Sequence, residues 1–158
     1  MVSSLVMHHR KAAADRRLEP TLDFLRLLWA IEHGLQRASK RMQRDLGVTG
    51  PQRLVLRVVG RFPGISAGEL ARMVRLHPST ITGILQRLTR RGLIERRADP
   101  RDNRRARLRL EPAARAYTRK SSNTVEEMVR RALARGGSAK VLAARVVLGD
   151  LAERLNDL

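Results

Sequence analysis

From Thr21 to about Leu46 the apolar residues Leu22, Leu25, Leu28, Trp29, Leu35, Met42 and Leu46 recur at helical spacing, with gaps at Glu32 and Ser39. The pattern predicts a long helix with one buried stripe, Trp29 in the core. Thr49-Gly-Pro-Gln52 has the form of a capping box, with Pro51 in the first turn, where a missing amide hydrogen removes no helical bond. The helix it opens is expected to reach about Arg61 and to bury Leu54, Val55 and Val58. Phe62-Pro-Gly-Ile65 is a turn, and Ser66-Ala-Gly-Glu69 is a second capping box, starting a short helix through Leu70, Ala71, Met73 and Val74. His77-Pro78 opens a fourth helix, whose Ile81, Ile84, Leu85 and Leu88 make a single apolar face before the stop at Gly92.

After Gly92 the period changes. Leu93 to Arg97 and Ala106 to Leu110 are expected as two short strands around the polar turn Ala98 to Arg104, with Leu108 and Leu110 alternating against Arg107 and Arg109. A long helix is then expected from Glu111-Pro112 to about Arg135, ended by Gly136-Gly137. A last helix from Ser138 carries Val141, Ala144, Leu148, Leu151, Leu155 and Leu158, a 3, 4, 3, 4, 3 seam that the small central module is not expected to cover alone. Met7, Met42, Met73 and Met128 are scattered gap-fillers.

A chain of 158 residues has room for one compact domain, or for a small domain with added helices that pack on a partner chain. Its formal charge of +18 comes almost wholly from arginine, which points to a polyanion as partner, nucleic acid first and an acidic membrane surface second. Four aromatic side chains are too few for the membrane reading. The absence of cysteine removes disulfides, thiol nucleophiles and thiolate metal sites. Residues 1–20 hold Arg10, Lys11, Arg16 and Arg17 without an apolar core of signal-peptide length and are expected to be a flexible basic arm. No run approaches the roughly 18 apolar residues of a membrane span, so a cytoplasmic protein, associated with the nucleoid, is expected.

Helix, short helix, turn, helix and basic hairpin is the order of a winged helix-turn-helix, whose second paired helix enters the major groove. The charge lies where that fold needs it: from Gly50 to Leu110 there are 15 arginines against 4 acidic residues, an excess of 11. Ser79, Thr80, Thr82, Gln86 and Arg87 face away from Ile81, Leu85 and Leu88 and are the candidate base and phosphate contacts; the plain alternative is a solvated helix face. Arg101, Arg104 and Arg105 are the candidate wing contacts, with Asp99 and Asp102 bracing the turn; the plain alternative is a solvated charge run. No phosphate-binding glycine loop, cysteine nucleophile or histidine paired in sequence with an acid is present, so neither an enzyme nor a cofactor is expected, and His8, His9, His33 and His77 show no metal-ligand spacing.

In Ser66-Ala-Gly-Glu-Leu-Ala-Arg-Met, Pro78-Ser-Thr-Ile-Thr, Leu88-Thr-Arg-Arg-Gly-Leu-Ile-Glu-Arg, Asp99-Pro-Arg-Asp-Asn-Arg-Arg and Leu108-Arg-Leu, taken in that order, the sequence resembles the MarR family of bacterial regulators. The resemblance runs from Thr21 to Leu158. It implies a mainly α fold with a small β-hairpin wing: a dimerisation helix over 21–48, a DNA-binding domain over 49–111 and C-terminal dimerisation helices over 112–158. It further implies a homodimeric regulator on pseudo-palindromic operators, expected to act as a repressor and to be released by a small ligand, with Arg104 as the inserted wing side chain. The alternative is a general nucleic-acid-binding or chromosome-architectural protein. Trp29, His33, Arg37 and Tyr117 are the candidate ligand contacts, by the position such pockets take in the family, against structural packing for each. Two departures stand out. Gly83 sits mid-helix, where glycine costs about 1 kcal/mol relative to alanine, and Glu111 replaces the usual threonine cap.

Overall fold

The computed structural model describes residues 18–99, 102–119 and 121–156, with backbone alone for 102–105. In chain order come helices α1 (Pro20–Leu46), α2 (Gly50–Arg61), α3 (Ala67–Val74) and α4 (Pro78–Arg90), then strands β1 (Ile94–Asp99) and β2 (Asp102–Leu110). A 3-10 turn (Pro112–Ala114) leads into α5 (Arg115–Thr118), α6 (Val125–Gly136) and α7 (Ser138–Asn156). The fold is mainly α with one small antiparallel hairpin. Among the described residues no helix is long and apolar enough to cross a membrane. The chain divides into two units, residues 1–37 and 38–158.

Of the first unit the described part is residues 18–37, nearly all of it α1. Asp23 stands in the first turn, where the helix dipole favours negative charge, and pairs with Arg26 at 2.6 Å. The stripe expected to be buried is open here: Leu22, Trp29 and Leu35 are all exposed, Trp29 at 61%. Trp29 is therefore not core within the chain. Periodicity identified an apolar face, but a face says nothing about which molecule covers it.

The second unit holds the core. Both expected capping boxes are formed: Thr49 with Gln52 opens α2, and Ser66 with Glu69 opens α3. His77 caps α4 through its ring, accepting from the Ser79 amide, and Pro78 takes the first position. Gly92, at φ +64, turns the chain out of α4 in the left-handed region that disfavours a Cβ. Val55, Leu56 and Val59 of α2, Leu70 and Ala71 of α3, and Ile81, Ile84, Leu85 and Leu88 of α4 pack with Val48, Ile65, Leu93, Ile94, Leu108 and Ala114. Each large side chain so buried contributes about 1.5–3 kcal/mol. The buried face of α2 is rotated from the expected one. Leu54 is exposed and Val58 half-buried, while Gln52, Arg53 and Leu56 are buried. Met73, expected as a gap-filler, is exposed.

The hairpin closes the core from one side. Its register runs Ile94↔Leu110, Glu95↔Arg109, Arg96↔Leu108, Arg97↔Arg107 and Ala98↔Ala106, so Ile94 and Leu108 point inward. The turn before α3 joins it, with Gly64 N donating to Leu108 O at 2.8 Å and Leu108 N to Ile65 O at 3.0 Å. At Gly60 a Cβ would lie 2.8 Å from Leu110 Cδ1, so the Leu110 side chain of β2 packs directly on the backbone of α2. The strands run further toward the tip than expected, because backbone pairing continues through polar residues that carry no alternation signal. Asp99, expected to brace the turn, pairs with Arg107 Nε at 3.0 Å.

The long helix expected from Pro112 to Arg135 is interrupted. Glu111 makes no side-chain cap, and the segment starts as a 3-10 turn. After α5 the polar run from Ser121 supplies side chains that compete for backbone partners. Thr124 donates to Ser121 O at 3.1 Å and accepts from Glu127 N at 3.3 Å, so a new helix starts there. In α6 the Glu127 carboxylate takes both Arg130 and Arg131, at 2.7 and 2.8 Å, and those hydrogen bonds lower its pKa to about 2. Neither α6 nor α7 contains a buried residue.

Candidate nucleic-acid interface

Helix α4 is amphipathic by construction. Ile81, Ile84, Leu85 and Leu88 anchor one side in the core, and the other side carries Ser79, Thr80, Thr82, Gln86 and Arg87, all exposed. The five residues expected to meet DNA are thus brought onto one open surface. Ser79 Oγ lies 2.7 Å from His77 Nδ1, and Thr82 donates to Pro78 O at 2.9 Å. Those bonds fix the two hydroxyls. Among the described residues nothing binds the Gln86 amide or the Arg87 guanidinium, so both can still reach. Among the described residues a Cβ at Gly83 would meet no heavy atom within 4 Å, so their packing does not demand glycine there.

Arg90 was not among the expected contacts. It continues the line Ser79, Gly83, Gln86 at spacings of 4, 3 and 4, is exposed, and donates from Nε to Gln86 O at 3.4 Å. The spacing could have revealed it; its place at the helix end, among other arginines, hid it. Arg53 goes the other way. It counts toward the basic excess, yet it is only 3% exposed and turned inward.

Beside α4 the hairpin offers Arg96, Arg97 and Arg109 at exposed positions. Glu95 pairs with Arg97 at 2.7 Å and raises the guanidinium's pKa further. Arg101 lies outside the described residues. Arg104 and Arg105 sit on β2, where their backbone alone is described. On the same unit Arg57, Arg61, Arg72, Arg75 and Arg91 are exposed as well. A polar helix face beside a basic hairpin has the chemistry of a phosphate and base-edge surface.

A model of the MarR family matches residues 46–105, which span α2 to the wing. The chain belongs to the MarR family. An HTH-type transcriptional repressor of Mycobacterium tuberculosis is 31% identical over 90 residues, 57% of this chain and 65% of the repressor. This MarR-family chain therefore spans just under two thirds of the length of the curated relatives it matches. A probable transcriptional regulator from Pseudomonas aeruginosa is similar in structure with a TM-score of 0.60 and 30% identity, over 78% of this chain and 94% of that one. S. aureus MepR, solved as a DNA complex, gives a TM-score of 0.68 at 19% identity over 84% of this chain and 97% of that one, a likeness of fold.

The residues expected to hold a ligand fall in separate units. Trp29, His33 and Arg37 lie four residues apart on an exposed stripe of α1 in the first unit. Tyr117 belongs to α5 in the second, half-buried, with its hydroxyl 3.4 Å from Arg91 Nη2 and its ring under the same guanidinium. Among the described residues no group of three or more His, Asp or Glu side chains could hold a metal ion.

Proposed function

We propose that this chain is a sequence-specific, double-stranded DNA-binding transcriptional regulator. In this reading it works as a homodimer on pseudo-palindromic operators, represses there, and acts in the cytoplasm at the nucleoid. One observation carries it: α4 is fixed to the core by one face and presents the other, polar and unobstructed, beside a hairpin of arginines. Its relatives support it, since one is named a repressor and another was solved on DNA. Residues 49–111 would read the duplex. Residues 21–48 and 112–158 would join two copies, for which the exposed Leu142, Val146, Val147, Leu148 and Leu155 of α7 supply the apolar surface. Ser79, Thr80, Thr82, Gln86, Arg87 and Arg90 would enter the major groove, with Arg101, Arg104 and Arg105 on phosphates or in the minor groove. For a small effector, Trp29, His33 and Arg37 are the better contacts, because Arg91 already holds one face of Tyr117.

Selection of bound duplexes from a random pool tests this directly. The expected product is a consensus of two inverted half-sites about 10 base pairs apart, centre to centre. A pool without consensus or symmetry would overturn it in favour of a general nucleic-acid coat. On the selected operator, Arg104→Ala should reduce the log–log salt slope by about 1 for each phosphate that the guanidinium neutralises.

A further inference from the structure

The interruption between α5 and α6 leaves the last carbonyls of α5 without helical partners, and guanidiniums from α2 fill the gap. Arg57 Nη1 donates to Thr118 O at 2.9 Å. Arg53 donates from Nη1 to Tyr117 O and from Nη2 to Arg119 O at 2.5 Å, and its Nε pairs with Glu126 Oε1, in the first turn of α6, at 2.9 Å. Arg53 is nine-tenths buried and more, so it must keep these partners: without Glu126 the buried guanidinium is left with an uncompensated charge, and without a carbonyl it is left with an unsatisfied donor. At the ring and hydroxyl of Tyr117 stands Arg91, the residue that follows α4 as its C-cap. It donates to Gly47 O at 2.7 Å and lies with its guanidinium carbon 5.4 Å from the Tyr117 ring centroid. Tyr117 thus takes the end of α4 on its ring and hydroxyl, and the link to α6 on its carbonyl.

We propose that Tyr117, held between Arg91 and the pair of buried Arg53 with half-buried Glu126, is the joint that sets the angle between α4 and α6, and that it thereby fixes which spacing of half-sites the dimer accepts. Tyr117 is a positioning residue here, with no contact to DNA of its own. The proposal rests on the dimeric DNA-binding reading above, because a spacing preference exists only if two recognition helices are rigidly joined. A chain of contacts alone does not establish coupling; shared, non-additive effects do.

The test uses the full chain, the selected operator, and operators with one base pair added or removed between half-sites, all at matched salt. Wild type should prefer the native spacing. Tyr117→Leu should reduce that preference about fivefold, the size of effect that mutations along a coupling network produce. Arg91→Ala should do the same, and the double variant should lose no more than the larger single one. Tyr117→Phe keeps the ring under Arg91 and should retain most of the preference. Should Tyr117→Leu fail to fold, Glu126→Gln probes the same joint from α6 and should lower the same ratio. Wild-type spacing ratios in Tyr117→Leu or Glu126→Gln, or additive losses in the double variant, overturn the joint. Arg91→Ala that weakens all duplexes equally and lowers the salt slope by about 1, beside a silent Tyr117→Leu, would make Arg91 a phosphate contact and overturn it too. A wild-type protein indifferent to spacing would instead remove the dimeric reading beneath it.

Discussion

Helices α4 and α7 are both rich in leucine, isoleucine and valine, yet they use those residues in opposite ways. In α4, Ile81, Ile84, Leu85 and Leu88 line up on one side and are all buried within the chain. In α7, Leu142, Val146, Val147, Leu148 and Leu155 are all exposed, and their positions fall on more than one side of the helix. A helix with a single apolar stripe can be satisfied by one neighbour, whereas one that is apolar on several sides requires burial all round. The winged module thus has a core of its own, and α7 waits for company. Burial, more than composition, separates the part with a core of its own from the part that its own chain leaves uncovered.

The largest effect should come from damaging the satisfied side. Leu85→Ala removes a side chain that is 1% exposed and should cost about 2–5 kcal/mol in urea unfolding. A cost under about 1 kcal/mol would mean that the module does not depend on this core. Val146→Glu probes the unsatisfied side. Val146 is 64% exposed in the single chain, where a surface substitution changes stability by about 0.5 kcal/mol or less. If α7 is covered in a dimer, burying the new charge should cost several times that, about 2 kcal/mol or more. Sedimentation should then show monomers, and the melting temperature should cease to depend on protein concentration. A dimer that tolerates glutamate at this position would place the interface elsewhere.

How far the sequence revealed these regions follows the same division. The caps at Thr49, Ser66 and His77, the stop at Gly92 and the apolar face of α4 were all legible, because each is a local event decided by a few neighbouring residues. The rotated face of α2 was not. Arg53 occupies a buried position there only because Tyr117, Arg119 and Glu126, more than sixty residues later, supply its partners. The break before α6 was missed for a related reason: the stretch from Pro112 to Arg135 has no glycine, and its remaining signal is the cluster Ser121, Ser122, Asn123 and Thr124. Trp29 shows the limit most plainly. Its spacing marks an apolar stripe, but no pattern within one chain says whether a stripe meets its own chain or another.

On the open face of α4 the expected effects are smaller and fall on recognition instead of folding. Gln86→Ala leaves Ile81, Leu85 and Leu88 in place, so unfolding should be unchanged. If the amide reads a base edge, discrimination at the matching position of each half-site should fall by about 1–3 kcal/mol, with little loss on random duplex. Equal losses on both would reduce this face to a backbone contact. Gly83→Ala should separate folding from binding within a single position. Alanine should stabilise α4 by up to about 1 kcal/mol, since nothing among the described residues opposes a Cβ there. Weaker operator binding despite the stabler helix would show that the duplex approaches the backbone at Gly83.

The smallest effect sharpens the comparison from the side of α6, which has no buried residue to hold it and relies on a cap and ion pairs. Glu127 is held by Arg130 and Arg131, and its pKa falls from 4.5 to about 2. A carboxylate whose folded pKa is depressed contributes stability that is fully present above the unfolded value and is lost as pH falls through the folded one. The loss should therefore begin near pH 4.5 and finish near pH 2. Because both arginines are exposed and Glu127 is only half-buried, screening keeps the contribution small, and added salt should diminish it. Helix α4 has no carboxylate to titrate. Amide protection in α6 should accordingly fall across this window ahead of protection in α4, and Glu127→Gln should flatten the difference. If both helices lose protection together in wild type and variant alike, the acid transition is a single global event. The capped, surface-paired helix would then be no less secure than the one anchored in the core.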